Sequence, residues 1–173
     1  MNLLTLFKSV TTFAFDVDGV LTDGTLTVLP GGVMARKMNV KDGYALQLAV
    51  KKGYKIVIIS GGASEEVTDR MNKLGVAEVY MRVTDKVTVL NNFLERHQLS
   101  WQEVLYMGDD IPDTHAMKKV GMACCPLDAV SEVKDISAYI SPINGGFGCA
   151  RDVIEKVLKM RGDWNDDPYI ASK

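Results

Sequence analysis

The stretch Phe15-Asp16-Val17-Asp18-Gly19-Val20-Leu21-Thr22-Asp23-Gly24 decides how this chain is interpreted. Two carboxylates stand two residues apart, directly after an apolar run that is typical of a buried strand. Because side chains in extended backbone alternate between faces, Asp16 and Asp18 are expected to point to the same side. Converging acids are costly unless a cation holds them, so the pair indicates a divalent metal site with a carboxylate nucleophile.

Two other interpretations apply to the same residues when the stretch is taken alone. Asp-Gly is common in turns, so a purely structural strand-to-turn signal explains it equally well. A calcium loop also opens with Asp-x-Asp, but it requires Asp or Asn at its fifth position and Glu at its twelfth. Val20 and Thr27 occupy those positions, which excludes a calcium loop. The choice between a turn and a catalytic site therefore depends on residues downstream.

Size and composition fit one soluble globular domain. The chain has 173 residues, of which 47% are hydrophobic and 24% charged, enough for a sizeable core. Its net charge of −2 gives no broad polyanion-binding surface, so we expect neither a nucleic-acid nor a membrane partner. Residues 1–10 lack the cleavage signal of a secretory leader, and the three cysteines have no Cys-x-x-Cys spacing. These features predict a cytoplasmic protein with reduced thiols.

Apolar runs alternate with amphipathic segments along almost the whole chain. Strands are predicted at Thr11–Phe15, Tyr54–Ile59, Glu78–Met81, Val104–Met107 and Met122–Cys124. Helices are predicted at Tyr44–Lys52, Ser64–Leu74, Lys86–His97, Ile111–Val120 and Ala129–Asp135. The strands are apolar on both faces, as expected when helices cover both sides of a parallel sheet. We therefore predict a single α/β domain over residues 1–173 with a doubly wound, Rossmann-like parallel sheet. Its ligand crevice should lie beyond the carboxyl ends of the strands.

Two segments interrupt this alternation. Thr25–Leu29 and Val33–Met38 flank a Pro-Gly-Gly turn, which predicts a β-hairpin over about residues 25–38. Since the hairpin follows the acidic pair immediately, we expect it to cover the site as a flap, in place of a separate cap domain. The glycine-rich tail, residues 144–173, includes a helix predicted from about Cys149 to Lys159. Beyond Gly162 we predict a loose end.

Three further polar groups follow predicted strands and so face the same crevice. Ser60-Gly61-Gly62 offers a hydroxyl and free backbone amides at a helix N-terminus, which suits an anion. Lys86 begins a helix where the macrodipole opposes a cation, so a phosphate contact explains its position better than stability does. Gly108-Asp109-Asp110-Ile111-Pro112-Asp113 carries three acids at the mouth of the crevice. With Asp16 and Asp18 these acids form the oxygen-rich cluster that Mg²⁺ prefers.

The set Asp-x-Asp, Ser-Gly, Lys and Gly-Asp-Asp-x-x-Asp, in that order at strand ends, resembles the motifs of the haloacid dehalogenase superfamily of phosphatases. The resemblance covers nearly the whole chain and implies a phosphoric monoester hydrolase. It implies that Asp16 attacks phosphorus to form an aspartyl-phosphate and that Asp18 carries the proton to the leaving oxygen. It also implies Mg²⁺ as the cofactor, bound by Asp16, Asp109 and the backbone carbonyl of Asp18.

The same resemblance gives roles to the other polar residues of the crevice. Lys86, the Ser60 hydroxyl and the amides near Gly61 are expected to neutralise the phosphoryl oxygens. Asp110 and Asp113 are expected to orient Lys86 and metal-bound water.

Within that superfamily the chain resembles the group of small bacterial phosphatases that act on 3-deoxy-D-manno-octulosonate 8-phosphate. Asp16–Gly24, the hairpin, the acidic motif and the glycine-rich tail carry this resemblance. It implies a small-molecule sugar acid phosphate as substrate, a role in lipopolysaccharide biosynthesis, and a homotetramer in which each hairpin covers a neighbour's site. Thr25 and Arg70 are then expected to contact the substrate, Arg70 at its carboxylate, unless Arg70 is an ordinary surface residue of its helix. Residues Gly145–Arg151 of the tail would help close the site.

Three alternatives to this substrate and class remain. Relatives often carry Arg or Glu where this chain has Gly62, so a nine-carbon keto-deoxy sugar acid 9-phosphate is the nearest competing substrate. A phospho-receiver domain combines an acceptor Asp, a Lys and acidic ligands on a similar sheet, but its acceptor lies on a middle strand. A non-catalytic assembly module would be expected to lose an acid or Lys86, and this chain retains them all.

Overall fold

Six parallel strands form one sheet in the computed structural model, which describes residues 2–170. The strands are β1 (Thr12–Phe15), β2 (Thr27–Val28), β3 (Met34–Ala35), β4 (Lys55–Ile59), β5 (Glu78–Tyr80), β6 (Val104–Met107), β7 (Met122–Cys125) and β8 (Tyr139–Ile140). The sheet has the order β5-β4-β1-β6-β7-β8, and β2 and β3 form a separate antiparallel pair. Phe15, at the end of β1, lies opposite Ile58 on one side and Met107 on the other.

Helices cover both faces of this sheet. They are α1 (Leu3–Ser9), α2 (Val40–Lys51), α3 (Glu65–Lys73), α4 (Lys86–His97), α5 (Thr114–Met117), α6 (Ser131–Ile136) and α7 (Cys149–Arg161). The first three and α7 pack with Phe13 and Phe15, whereas α4, α5 and α6 pack on the face that carries Ala14. All four residues of β1 are buried, because successive strand residues point to opposite, covered faces. The doubly wound α/β fold predicted from the sequence is thereby confirmed.

The strand order places the crevice at the acidic motif. The chain runs outward from β1 through β4 to β5, then crosses to β6 on the opposite side of β1. This switch point leaves an open crevice at the carboxyl ends of β1, β4 and β6, where α/β sheets bind ligands. The motifs around Asp16, Ser60 and Asp109 follow those three strands.

The hairpin is present but shorter than predicted. Only Thr27–Val28 and Met34–Ala35 pair as strands, and a 3₁₀ turn over Pro30–Gly32 joins them. The predicted ranges, residues 25–29 and 33–38, were too long because the residues at the ends of the hairpin do not pair across β2 and β3. No described residue belongs to a separate cap domain, since the chain between β1 and α2 forms only the motif loop and this hairpin.

Four local predictions were wrong at the level of elements. Residues Leu3–Ser9, for which no helix was predicted, form α1, which Asn2 caps and which buries Phe7 against Tyr139. Strand β8 was missed because it has only two residues. The helix predicted over residues 111–120 is a 3₁₀ turn followed by the four-residue α5. Helix α2 begins at Val40 rather than at residue 44, with Asn39 as its cap.

The segment after Gly162 is docked on the domain rather than loose. The Tyr54 hydroxyl donates to Asp163 at 2.7 Å, and Lys51 pairs with Asp167 at 2.5 Å. Trp164 packs edge-on against Tyr44, with ring centroids 6.1 Å apart. The predicted loose end is therefore wrong for residues 163–170, while residue 1 and residues 171–173 of the predicted domain lie outside the described part of the chain. Over residues 2–170, no helix combines the length and apolarity needed to cross a membrane.

Candidate active site

Three carboxylates converge at the carboxyl ends of β1 and β6. Asp16 follows β1, Asp109 follows β6, and Asp113 lies on the turn that leads into α5. One oxygen from each lies within 4.8 Å of the others. Asp16 is fixed by its amide, which donates to the Met107 carbonyl at 3.1 Å and so extends the pairing of β1 with β6. This convergence was expected, because Asp16 and the motif that contains Asp109 and Asp113 follow strands of one parallel sheet.

A buried cation, Lys86, lies beside this cluster. The Lys86 ammonium is 2.7 Å from Asp113 Oδ1 and 3.1 Å from Asp16 Oδ1, and its side chain is only 6% exposed. The Tyr106 hydroxyl also donates to Asp113 Oδ1, at 2.8 Å, and the Asp109 amide donates to Asp113 Oδ2 at 3.2 Å. Burial alone would lower the pKa of Lys86, but Asp16 and Asp113 raise it, so the ammonium stays charged.

One lysine does not neutralise three acids, and the pKa values reflect this. Burial raises the pKa of Asp16 to about 7, with the charge of Asp113 adding to the rise and Lys86 opposing it. Burial likewise raises the pKa of Asp109 to about 8, and Asp16 and Asp113 add to it. Perturbed carboxyls gathered in a cleft are typical of functional sites.

The residues present fit a divalent cation. Asp109 Oδ1 is buried and accepts no hydrogen bond from residues 2–170, which leaves a carboxyl oxygen unsatisfied. Asp16 and Asp109 offer hard oxygen ligands, the type that Mg²⁺ prefers. Both oxygens of Asp113 already accept hydrogen bonds, so Asp113 supports the cluster through Lys86 and the Asp109 amide.

Gly19 permits the close approach of the two acidic motifs. Its φ is +87°, in the left-handed region, and a Cβ there would lie 1.9 Å from Asp109 Oδ2. Only glycine satisfies both conditions. The Asp-Gly pair thus serves turn chemistry and the site at once, so the two interpretations of the opening stretch do not exclude each other.

A cavity of about 400 Å³ opens over the cluster. It is lined by Asp16, Asp18, Gly24, Ser60, Gly61, Gly62, Val83, Thr84, Lys86, Asp109, Asp110, Pro112 and Asp113. Ser60 is buried at the end of β4, where its hydroxyl oxygen accepts the Gly62 amide at 3.1 Å. Asp110 lies at the exposed rim and caps the next turn by accepting the Ile111 amide at 2.7 Å, without contacting Lys86. Ser60, Gly61, Lys86 and the acids are therefore brought together as predicted.

Asp18 lies at the edge of this cavity and is paired with a residue that the sequence analysis did not single out. Arg36, just after β3, donates through Nε to Asp18 Oδ1 at 2.7 Å and through Nη2 to Oδ2 at 3.0 Å. The Asp18 carboxylate is consequently turned toward the hairpin and is absent from the three-acid cluster of the described chain. The metal ligand expected from Asp18 is its backbone carbonyl, which does not take part in this side-chain pairing.

Thr25 and Arg70 do not line this cavity. The Thr25 hydroxyl donates to Asp23 at 2.6 Å on the exposed side of the hairpin. Arg70 lines a neighbouring cavity of about 370 Å³ with hairpin residues, including Arg36. Its buried Nη2 has no hydrogen-bond partner among residues 2–170. Neither residue contacts the acidic cluster in the described chain.

The glycine-rich tail packs against the acidic loop that contains Gly19 and Val20. A Cβ at Gly145 would lie 1.9 Å from the Gly19 carbonyl oxygen, and the Gly146 amide donates to the Val20 carbonyl at 2.9 Å. Cys149 also donates to the Val20 carbonyl, at 3.2 Å. Residues 144–151 do not line the cavity over Asp16. Within one chain, the tail therefore holds the motif loop in place rather than covering the site.

One protein-family model and several known proteins are similar to this chain. The family model described as haloacid dehalogenase-like hydrolase matches residues 37–126, which include Ser60, Lys86 and Asp109. The 3-deoxy-D-manno-octulosonate 8-phosphate phosphatase of Escherichia coli K12 is 31% identical over 155 residues, covering 90% of this chain and 82% of the relative.

Solved structures agree along nearly the whole chain. The crystal structure of 3-deoxy-D-manno-octulosonate 8-phosphate phosphatase from Yersinia pestis superposes with a TM-score of 0.91 at 28% identity, covering 93% of this chain and 87% of that one. The same enzyme from Moraxella catarrhalis, in complex with a magnesium ion, a phosphate ion and a KDO molecule, has a TM-score of 0.88 at 30% identity. That match covers 91% of this chain and 90% of the other.

Proposed function

This chain belongs to the haloacid dehalogenase-like hydrolase family, and we propose that it hydrolyses 3-deoxy-D-manno-octulosonate 8-phosphate in a Mg²⁺-dependent reaction. The observation that carries the proposal is the convergence of Asp16, Asp109 and Lys86 in a cavity with the Ser60 hydroxyl. The relatives named above supply the substrate class. The buried acids explain the need for a divalent cation.

Asp16 is the nucleophile of the proposed reaction. Its carboxylate oxygen forms a bond to phosphorus while the bond from phosphorus to the sugar oxygen breaks, which leaves an aspartyl-phosphate and the sugar alcohol. Water then attacks that phosphorus, releases inorganic phosphate and regenerates the carboxylate. The hydrogen bond from the Asp16 amide to Met107 holds the nucleophile at the strand end throughout.

Lys86 and Ser60 bind the phosphoryl oxygens. The Lys86 ammonium and the Ser60 hydroxyl face the same cavity as Asp16, and the amides near Gly61 add further donors. These groups stabilise the negative charge that spreads over the phosphoryl group in the transition state. Asp113 keeps Lys86 charged and aimed at Asp16, while Asp110 at the rim orients bound water.

Asp16, Asp109 and the backbone carbonyl of Asp18 would hold Mg²⁺. When bound, the ion offsets the repulsion between the carboxylates and the phosphate dianion and polarises the phosphoryl group. Asp18 supplies the proton to the departing sugar oxygen and later removes one from the attacking water.

The proposed assembly is a homotetramer in which the hairpin of one subunit covers the site of a neighbour. In the single chain the hairpin exposes large apolar side chains, with Val28 72%, Val33 50% and Met34 50% exposed. Apolar side chains gathered on a protruding element favour burial against a second copy. In that arrangement Thr25 and the tail would act on the neighbouring site, and Arg70, which lines a cavity together with Arg36, would meet the substrate carboxylate jointly with Arg36. Three unpaired, buried cysteines support a cytoplasmic location, as lipopolysaccharide biosynthesis would require.

A panel of phosphate esters tests the proposal. Phosphate release with Mg²⁺ is measured on 3-deoxy-D-manno-octulosonate 8-phosphate, a nine-carbon keto-deoxy sugar acid 9-phosphate and glucose 6-phosphate. We expect a sharp preference for the eight-carbon ester and reversible loss of activity with EDTA. A preference for the nine-carbon ester would instead support the alternative that Gly62 raises, and no release from any ester would refute the proposed function.

A further inference from the structure

The ion pair between Arg36 and Asp18 is joined by two hydrogen bonds, and its guanidinium is largely shielded from solvent. Two parallel hydrogen bonds of 2.7 and 3.0 Å join the guanidinium to both carboxylate oxygens. The remaining nitrogen, Nη1, donates to the carbonyls of Met34 at 3.2 Å and Ala63 at 3.4 Å. The Arg36 side chain is only 5% exposed. Arg36 therefore fastens the hairpin to the motif loop and to the loop before α3.

Gly62 provides the room for this pair. A Cβ at residue 62 would lie 2.9 Å from Arg36 Nη2 and 2.9 Å from Asp18 Oδ2. These atoms end flexible side chains, so a larger residue would displace the pair rather than the backbone. The absence of a side chain at Gly62 thus leaves the space in which Arg36 reaches Asp18.

Asp18 stands between two cavities. The inner one, of about 400 Å³, holds Asp16 and Lys86, and the outer one, of about 780 Å³, is lined by the hairpin and the start of α3. Asp18 and Gly62 line both. A phosphate bound beside Asp16 would direct the leaving portion of its ester past Asp18 into the outer cavity, whose wall includes Arg36.

The pair conflicts with the role of Asp18 in the proposed reaction. Because both of its oxygens accept hydrogen bonds from Arg36, the Asp18 carboxylate is turned toward the hairpin rather than toward a leaving group beside Asp16. A carboxylate on the leaving portion is chemically equivalent to Asp18 as a partner for the guanidinium fork. Transfer of the fork to that carboxylate would release Asp18, whose side chain is 31% exposed, and would keep the buried guanidinium paired.

We propose that Arg36 is a specificity-determining latch: Arg36 pairs with Asp18 when no substrate is bound, and it releases Asp18 by binding the carboxylate of the substrate. The inference rests on the proposed function and deepens it. An ester without a carboxylate would leave the latch closed, so the enzyme would hydrolyse it slowly even when the phosphate fits.

Kinetics of three variants test the latch on 3-deoxy-D-manno-octulosonate 8-phosphate and on glucose 6-phosphate, which lacks a carboxylate. In Arg36→Ala we expect kcat/KM to fall about 100-fold for the sugar acid ester, because a buried charge partner is lost, and to rise for glucose 6-phosphate. Gly62→Ala, which displaces the pair but keeps the guanidinium, should also raise the glucose 6-phosphate value. Lys37→Ala removes a neighbouring exposed charge from the same hairpin and should leave the ratio of the two values unchanged.

Equal losses on both esters, or no change in either, would overturn the latch. Calorimetric titration separates it from the proposed function, because it needs no turnover. In an Asp16→Asn background with Mg²⁺, adding Arg36→Ala should weaken binding of the sugar acid ester about 100-fold and leave binding of glucose 6-phosphate unchanged. Wild-type protein that releases no phosphate would refute the proposed function, whereas a binding loss shared by both esters would refute the latch alone.

Discussion

At the scale of single residues, the site depends on how closely Gly19 lets Asp109 approach. The carboxylate of Asp109 occupies the space where a Cβ of residue 19 would stand. Asp16 lies three residues before Gly19, in the loop that the contact between Gly19 and Asp109 positions. Any side chain at residue 19 would therefore move the two acids apart.

Gly19→Ala should reduce kcat/KM about 100-fold or more, since displacements near 1 Å at a reacting centre have effects of that size. Gly53→Ala is the matched control, because Gly53 has the same φ of +87° but a methyl group added there would meet nothing within 4 Å. Steady-state kinetics and circular dichroism of both variants provide the measurement. Similar activity in the two variants would show that backbone strain, rather than the contact with Asp109, is responsible.

The raised pKa values make metal-free stability depend on pH. The pKa of Asp16 is about 7 and that of Asp109 about 8 when folded, against 3.8 for an ordinary Asp. The folded state thus binds protons more tightly than the unfolded state. This contribution is complete below the unfolded pKa and is lost as pH rises toward about 8.

We expect the Tm gained from Mg²⁺ to be larger at about pH 8 than at about pH 5, because the ion replaces the missing protons. Asp109→Asn should abolish most of the difference between the two pH values, since it removes one titrating group and a ligand. Thermal unfolding of both proteins with Mg²⁺ or EDTA is the measurement. Equal Mg²⁺ effects at both pH values in the wild type would contradict the assignment of the cation site.

Asp16, Ser60, Lys86 and Asp109 could be predicted to meet because each follows a strand of one parallel sheet, so topology alone brings them together. Arg36 and Tyr106 could not be predicted in this way. Tyr106 lies within β6, where an apolar strand pattern assigns it to the core, and its hydroxyl contact with Asp113 is not visible in that pattern. The contact of Arg36 depends on how the hairpin folds back, which no local pattern encodes.

At the scale of elements, the tail loop and the acidic loop form one packed unit. Gly145 contacts the Gly19 carbonyl, and its amide donates to Asp128 at 2.9 Å. Because the obstacle is backbone, a side chain at residue 145 could not be accommodated by a rotamer change.

Gly145→Ala should lower the free energy of unfolding by about 1–3 kcal/mol, the usual range for overpacking, and should reduce activity as well. Gly148→Ala in the same loop measures backbone strain alone, because its methyl would meet nothing within 4 Å while its φ of +112° disfavours alanine. Urea denaturation of the two variants gives the comparison. If Gly145→Ala cost less than about 1 kcal/mol, its contact with the acidic loop would not contribute to stability.

The alternating strands and long helices were predictable because their apolar periodicity is local. The exceptions have physical reasons. Helix α1 is only seven residues long and depends on the Asn2 cap and on the contact between Phe7 and Tyr139, which is distant in sequence. The docked segment after Gly162 is fixed by contacts with residues distant in sequence, namely Tyr44, Lys51 and Tyr54, which no local pattern shows.

At the scale of the whole molecule, the exposed hairpin predicts that activity depends on assembly. Val28→Asp should dissociate the proposed tetramer and reduce kcat/KM, because it puts a charge on the most exposed apolar residue of the hairpin. Leu127→Asp, at an apolar residue outside the hairpin that is 49% exposed, should do neither. Sedimentation velocity with activity measured on dilution tests this. A fully active wild-type monomer would contradict a flap that acts on a neighbouring subunit.

The nucleophilic role of Asp16 is tested by phosphate release from 3-deoxy-D-manno-octulosonate 8-phosphate by the wild type and by Asp16→Asn, each with Mg²⁺. Asn is nearly the same size as Asp but is not a comparable nucleophile, so the fold should persist. We predict that kcat falls by a factor on the order of 10⁴ or more, while circular dichroism and oligomeric state are unchanged. Retention of substantial turnover by Asp16→Asn would contradict the assignment of Asp16 as the nucleophile and with it the proposed mechanism.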